Sequence, residues 1–361
     1  MLYLKLKKER PYLFMFFLNK FSKKSRLILC SILFLIIFLI VIGIIIKIRN
    51  HKNDNNMKKI KIATALETTR AFLEDNLKPE LKKDNIDLEV IYKGNSYRET
   101  NQLLQNDKDV IAILDSHLVF AKNTLQKSNN SMSEDVMIAQ PFYLSKIGFY
   151  TLDARILQIQ NQIQSQIKIN NITDLQNAII NLLTQNQPNQ VINKIKILVC
   201  SDPIQKVLSF LFLQQMGLIH LKQGLQADNV ILNPNDFKIP NHIEIVEEIS
   251  LKELHNKFQN DNSIHFFINY PGVLGTKKQL FKLFTSLIIP SDIKNPIYDY
   301  TISLIVKTKD INSEKVKILK EALRKQHLID YMNKRNSLYL EMIPVEKMDQ
   351  ISERINQKYN S

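Results

Sequence analysis

The residues of this chain that could do chemistry gather at two places. Ser201-Asp202-Pro203 follows the apolar run 197–199, and Asp115-Ser116-His117 follows the apolar run 110–114. Ser and Asp are helix N-cap types, and Pro is tolerated in a first helical turn because its missing N–H is not needed there. The first triplet therefore opens a helix at the end of a strand, where free N–H groups and the helix dipole suit an anionic group. The second places a histidine on the edge where open α/β sheets bind ligands. Each has a plainer alternative: an ordinary strand-to-helix junction for the first, and a solvated or helix-capping histidine for the second.

Covalent and metal chemistry find little support. The seven histidines, at 51, 117, 220, 242, 255, 265 and 327, form no HExxH pair, there is no CxxC or GxSxG, and the acids are scattered. No enzyme and no metal site are expected. The seven glycines build neither GxGxxG nor a phosphate-binding loop, so no cofactor of those kinds is expected. Cys30 and Cys200 are too few and too far apart in kind for a disulfide framework.

Around these residues the chain is organised as a basic anchor followed by alternating α/β segments. The formal net charge is +14, but residues 1–59 hold thirteen Lys and Arg against Glu9 and Asp54, a net of +11, which leaves +3 for the rest. The basicity belongs to the N-terminus, and a nucleic-acid partner is not expected. Residues 27–46 are uncharged and apolar apart from Ser31, long enough to span a bilayer core. The heavier Lys/Arg load precedes this run, placing residues 1–26 in the cytoplasm and the C-terminal region outside. Bulky Leu29 before Cys30 argues against a lipidated cysteine, and the length of the run argues against a cleaved signal peptide. The expectation is a single-pass cell-membrane protein with an uncleaved signal anchor, then a polar linker at 47–59.

From residue 60 the pattern reads strand 59–66, helix 68–77, strand 86–92, helix 97–105 and strand 110–114, a βαβαβ start that implies a parallel sheet. Residues 136–150 read as a strand crossing into a second lobe. The run 197–221 reads as its main strand and helix, with Ile204, Val207, Leu208, Leu211 and Phe212 on one face and Gly217 as the stop. Strands at 243–249 and 264–268 follow, then a turn at 269–272, a strand at 299–307, helices within 313–333 and a closing apolar segment at 338–345. Two crossings between two lobes describe a hinged binding protein. The boundaries expected are 60–142 and 271–361 for lobe 1 and 143–270 for lobe 2.

The stretch 201–224, SDPIQKVLSFLFLQQMGLIHLKQG, resembles the segment of bacterial methionine-binding (NlpA-type) lipoproteins that begins Asn-Asp-Pro-Thr-Asn and ends Gly-Leu-Ile-Lys-Leu-Lys-Asp-Gly. The likeness extends at low identity over about residues 58–347, through Asn233-Pro234, Ile268-Asn269 and Ile343-Pro344. It implies an α/β, two-lobed, periplasmic-binding-protein-like (type II) fold with a hinge, here preceded by one transmembrane helix. It also implies no covalent chemistry: one small ligand is captured by closure of the lobes and handed to an ABC permease.

Carried over one position at a time, His117 matches the histidine of a Phe-Gln-His motif, with Asp115 and Ser116 in place of the two preceding residues. Phe142 or Tyr143 falls near the pocket aromatic. Ser201 and Gln205 stand at the two Asn positions, and Asn269 matches the first Asn of Ile-Asn-Gly-Asn-Tyr, whose second Asn is Pro271 here. Where the family has Gln-Leu-Pro-Arg-Ser, this chain has Ser250 to Leu254, with Glu253 at the Arg position and Lys252 the nearest cation. The resemblance thus implies methionine or a related amino acid, held without the bidentate Arg, in a solvent-accessible cleft lined by His117, Ser201, Gln205 and Asn269. The competing reading is a surface receptor or adhesin ectodomain on the same anchor, binding a peptide or macromolecule.

Overall fold

Short apolar runs that alternate with amphipathic ones form, in the computed structural model, β1 (Lys58–Thr64), α1 (Glu67–Phe72), a π-helical turn (Leu73–Leu77), α2 (Lys78–Lys82), β2 (Ile86–Tyr92), α3 (Tyr97–Asn106), β3 (Val110–Ser116) and α4 (Leu118–Gln126). The structure describes Phe38 and residues 58–360, less 95, 127–134, 164–167, 186–193 and 229. The chain divides into two units, Met1–Lys58 and Lys59–Ser361, and the fold belongs to the second. The transmembrane segment expected at 27–46 lies outside the described residues apart from Phe38. Among the described residues, no helix is long and apolar enough to cross a membrane.

The chain continues through β4 (Val136–Ser145), β5 (Gly148–Thr151), α5 (Asp153–Ile163), α6 (Ile172–Gln185), β6 (Ile195–Cys200), α7 (Pro203–Gln215), β7 (His220–Leu221), β8 (Phe237–Lys238), β9 (Ile243–Glu248), α8 (Leu254–Asn260), β10 (Phe266–Asn269), α9 (Pro271–Leu274) and β11 (Lys282–Ser286). It returns as β12 (Ile302–Lys307), α10 (Glu314–Leu323), α11 (Gln326–Asn336), β13 (Leu340–Met342) and α12 (Val345–Asn360).

Two sheets result. The first has strand order β13-β4-β12-β3-β1-β2, with β1 parallel to β3 (Ile62↔Ala112) and β12 antiparallel to both β3 and β4. The second has order β11-β5-β10-β6-β9, with β6 parallel to β10 and β9 (Ile197↔Ile245) and β5 antiparallel to β10. Because helices cover the parallel strands, β3 and β6 are buried almost throughout, which is why they read as continuous apolar runs.

The changes of sheet do not fall at 142/143 and 270/271. All of β4 to Ser145 pairs in the first sheet, so Phe142 and Tyr143 both belong there. The second sheet keeps β11 as far as Ser286, because Leu283 pairs with Tyr150 and Phe284 packs 5.6 Å from Phe266. The second lobe holds together through strand alternation, which sends adjacent rings to opposite faces. Phe266 stacks on Phe149 at 4.4 Å, while Phe267 meets Phe258 at 4.7 Å and Phe281 at 4.9 Å.

The β6–α7 unit forms as its residues dictate. The Asp202 carboxylate accepts the N–H of Ile204 at 3.1 Å and of Gln205 at 3.0 Å, and Pro203 takes the first helical position. Ile204, Val207, Leu208, Phe210, Leu211, Phe212 and Leu213 are all buried, so the helix is apolar on two sides. It ends in a Schellman turn: Gly217, at φ 66, donates to Gln214 O at 2.8 Å, and Leu218 donates to Leu213 O at 2.9 Å. The last helix, α12, had no clear signature in the sequence. It is tied to β4 by Asn356, which accepts the Ile138 N–H at 2.9 Å and donates to the Ile138 carbonyl at 2.8 Å.

Candidate functional site

The C-terminal ends of the parallel strands carry the polar residues of the region between the lobes. On the first lobe these are Asp115 and His117 at the end of β3, with the Ala65 N–H past β1, and Tyr97 and Thr100 on the first turn of α3. Tyr143 on β4 lies on the same lobe. The second lobe supplies Ser201 and Asp202 past β6, Gln205 on α7, and Asn269 and Tyr270 past β10. Tyr300 stands on the returning segment, in a 3-10 turn (Pro296–Tyr300).

Asp115 is fully buried. Its Oδ2 accepts the Ala65 N–H at 3.0 Å and the Thr100 hydroxyl at 2.5 Å, while Oδ1 has no hydrogen-bond partner among the described residues. Burial pushes its pKa up to about 7, against the lowering effect of those two bonds. Burial likewise pushes Tyr97 up to about 12, with the Asp115 charge adding to it. Tyr143, whose hydroxyl lies 3.1 Å from Thr69 Oγ1, is raised by burial and also feels Tyr97 and Asp115.

His117 caps α4: its Nδ1 accepts the Phe120 N–H at 3.2 Å, so the neutral ring carries its proton on Nε2. Its ring lies edge-on to Tyr300 at 5.2 Å and to Phe120 at 6.1 Å, and burial pushes its pKa down to about 4. The capping alternative therefore applies to His117, through Nδ1.

Across the boundary, the Tyr270 hydroxyl donates to Gln205 Oε1 at 2.7 Å. Its pKa is raised by burial first, then by Tyr97, Cys200 and Asp202, against the lowering effect of the Gln205 bond. Tyr300 is raised by burial and by Asp299, Tyr270 and Asp202. His117 thus packs with Phe120 and Tyr300, and Phe120 in turn lies 5.8 Å from Tyr97, while Tyr270 and Gln205 form a hydrogen-bonded pair on the second lobe.

Several expected positions behave differently. Phe142 is fully buried against Phe72 (5.2 Å) and is core, because it faces the helix side of β4. Asn269 is buried and its amide is spent on the backbone, donating to Leu251 O at 2.9 Å and accepting the Tyr270 N–H at 2.8 Å. Lys252 is exposed, and among the described residues its ammonium makes no hydrogen bond or ion pair. Ser201 and Gln205 are half-buried, with the Ser201 N–H donating to Glu248 O at 2.9 Å. The cleft expected to be open along His117, Ser201, Gln205 and Asn269 is covered at His117 and Asn269, where Tyr300 and the Leu251 turn lie over them.

The helix N-terminus of α7, expected to receive an anion, is already occupied by the Asp202 carboxylate. Sequence reasoning missed Tyr97, Tyr270 and Tyr300 as walls. Only Asp115, an acid directly after Val-Ile-Ala-Ile-Leu, carried a signal that could have flagged a buried charge. Among the described residues, no group of three or more His, Cys, Asp or Glu could hold a metal.

No family model matches the chain, and no curated protein matches its sequence. Solved structures do match. A YaeC-family lipoprotein from Enterococcus faecalis is 18% identical with TM-score 0.58, covering 80% of this chain and 100% of its own. A Bacillus subtilis protein provisionally named a methionine-binding lipoprotein is 16% identical with TM-score 0.55, covering 79% and 98%. An ABC-transporter periplasmic substrate-binding protein from Coxiella burnetii is 16% identical with TM-score 0.52, covering 79% and 100%. The resemblance drawn from residues 201–224 is thus met by structures of the same kind, and the chain has their fold, two α/β lobes in one periplasmic-binding-protein-like arrangement.

Proposed function

We propose that this chain is the substrate-binding subunit of an ABC importer, which captures an amino acid or a related small molecule by closing its two lobes and delivers it to a permease. The run 27–46 would anchor it in the membrane with the lobes extracytoplasmic. No bond is made or broken; the ligand acts by binding the closed arrangement better than the open one. The observation that carries the reading is the two-lobed fold with polar side chains at the C-terminal ends of the parallel strands of both sheets: His117 beside Tyr300 after β3, Ser201 after β6, and the Tyr270–Gln205 pair after β10. In this reading His117 Nε2, Gln205, Ser201 and the Tyr143 hydroxyl contact the ligand, while Asn269 shapes the turn beneath it and Lys252 stays at the rim.

Thermal unfolding of the full-length chain in detergent, with a panel of amino acids and dipeptides, tests this. A ligand at a hundred times its dissociation constant should stabilise the fold by about 2.7 kcal/mol. A panel that moves the transition nowhere would exclude the import reading and favour a macromolecular partner.

A further inference from the structure

Hydrogen bonds join the two lobes away from the strand ends. Lys278 Nζ of the second lobe donates to the Tyr339 hydroxyl of the first at 2.9 Å, and the Tyr339 carbonyl accepts the Lys146 N–H at 2.8 Å, so this contact lies at the outbound crossing itself. A second bond is made at the far end of α12. Lys358 donates to the carbonyl of Ala227 at 2.9 Å and to Asp299 Oδ2 at 2.8 Å. α12 belongs to the first lobe, where it buries Met348, Ile351 and Ile355 and is tied to β4 through Asn356. Ala227 belongs to the loop between β7 and β8, which is fixed to the second lobe where Phe237 packs 5.3 Å from Phe210 of α7. At the start of α12, Lys347 donates to Ser291 O of the return segment at 3.0 Å; Lys358 lies about 16 Å further along the helix.

Lysine is rarely buried unless it is paired, and only 3% of the Lys358 side chain is exposed. Asp299 holds it there. One carboxylate oxygen accepts Arg354 at 2.6 Å, and the other accepts both Lys358 and the Tyr359 hydroxyl, the latter at 3.2 Å. These partners all sit on the first lobe, so Lys358 keeps Asp299 wherever the second lobe stands. The Ala227 bond differs: swinging the second lobe away about the crossings breaks it and brings water to a buried ammonium. Asp299 also adjoins Tyr300 in one 3-10 turn, and the Tyr300 ring packs against His117 at 5.2 Å.

We propose that Lys358 is an inter-lobe latch, positioned by Asp299, that favours the arrangement in which the residues around His117 are covered. The inference rests on the lobe closure proposed above and gives α12 a part in it. A ligand then supplies only the share of the closing preference that the latch does not.

The test is hydrogen–deuterium exchange of the full-length chain in detergent, without ligand, for wild type and for Lys358→Met, which keeps the apolar stem and removes the donor. Exchange should quicken at least threefold in 222–228 and also in 115–120 and 201–205, segments on both lobes that Lys358 does not touch, while 136–145 and 348–356 stay within twofold. Lys358→Gln, which still reaches Asp299 but falls short of Ala227, should give the same pattern, so the outcome does not hang on one variant folding. Lys358→Arg keeps a donor for both oxygens and should remain within twofold of wild type throughout. Circular dichroism of each variant confirms the fold. A rise confined to 222–228 and 357–360 would make Lys358 a local anchor of the loop and overturn the latch, as would no rise at all or an equal rise in 348–356. Because the readout needs no ligand, each of these outcomes leaves the import reading to be decided by the amino-acid panel.

Discussion

Replacing Asp115 by Asn should stabilise the protein at alkaline pH. The carboxyl is fully buried, and burial lifts its pKa from 3.8 to about 7. The folded chain therefore holds this proton more tightly than the unfolded chain does. The resulting stability is fully present below pH 3.8 and is lost as pH rises to about 7. Each tenfold step in proton affinity is worth about 1.4 kcal/mol, so the cost reaches about 4 kcal/mol at pH 8, of which about 3 kcal/mol accrues between pH 5 and pH 8. Histidines act in the opposite sense. Burial lowers His117 and His265 to about 4, and lowers His242 and His255 as well, so their contributions grow as pH rises toward 6.5. They mask the acid in the wild-type curve and cancel when the variant's curve is subtracted. Urea unfolding followed by circular dichroism at pH 5, 6, 7 and 8 gives both curves. The margin of Asp115→Asn over wild type should widen by about 3 kcal/mol from pH 5 to pH 8. Parallel curves would refute the claim that Asp115 is held as a strained, unpaired acid.

Three other outcomes follow from the geometry. Asp202→Ala removes the acceptor of two N–H groups at the start of α7 and should cost about 1–2 kcal/mol in urea unfolding, whereas Asp202→Asn should cost little. Phe267→Ala empties the centre of the ring cluster with Tyr150, Phe258 and Phe281, and should cost about 3–5 kcal/mol; a loss under 1 kcal/mol would mean the second lobe does not depend on that cluster. Lys252→Ala should leave the affinity of any bound compound within twofold by calorimetry, and a tenfold loss would restore Lys252 as the partner of a ligand carboxylate.

The parts of the fold that were legible in the sequence are those written by neighbours in the chain. The β6–α7 unit was readable because its cap, its apolar faces and its Gly217 stop are all local signals. The same holds for β1 to β3 and the helices between them. The return crossing was misplaced because β11 is a short edge strand whose membership is decided by Tyr150, more than a hundred residues earlier. Site residues divide along the same line. His117 and Ser201 were reachable from strand ends. The duty of Asp115 depends on Ala65 and Thr100, fifty and fifteen residues away, and no local pattern reports it. Tyr300 meets His117 from a 3-10 turn and Tyr270 meets Gln205 from the turn after β10, contacts between residues far apart in the chain. Phe142 and Lys252, transferred by resemblance alone, lie respectively in the core and at the surface.

The central claim, capture of a small ligand between the lobes, is tested most directly by hydrogen–deuterium exchange of the full-length chain with and without a compound that binds. The account predicts that protection rises together in residues 97–104 and 115–120 of one lobe and 201–205 and 269–272 of the other. Protection confined to one lobe, or located away from all four segments, would contradict it.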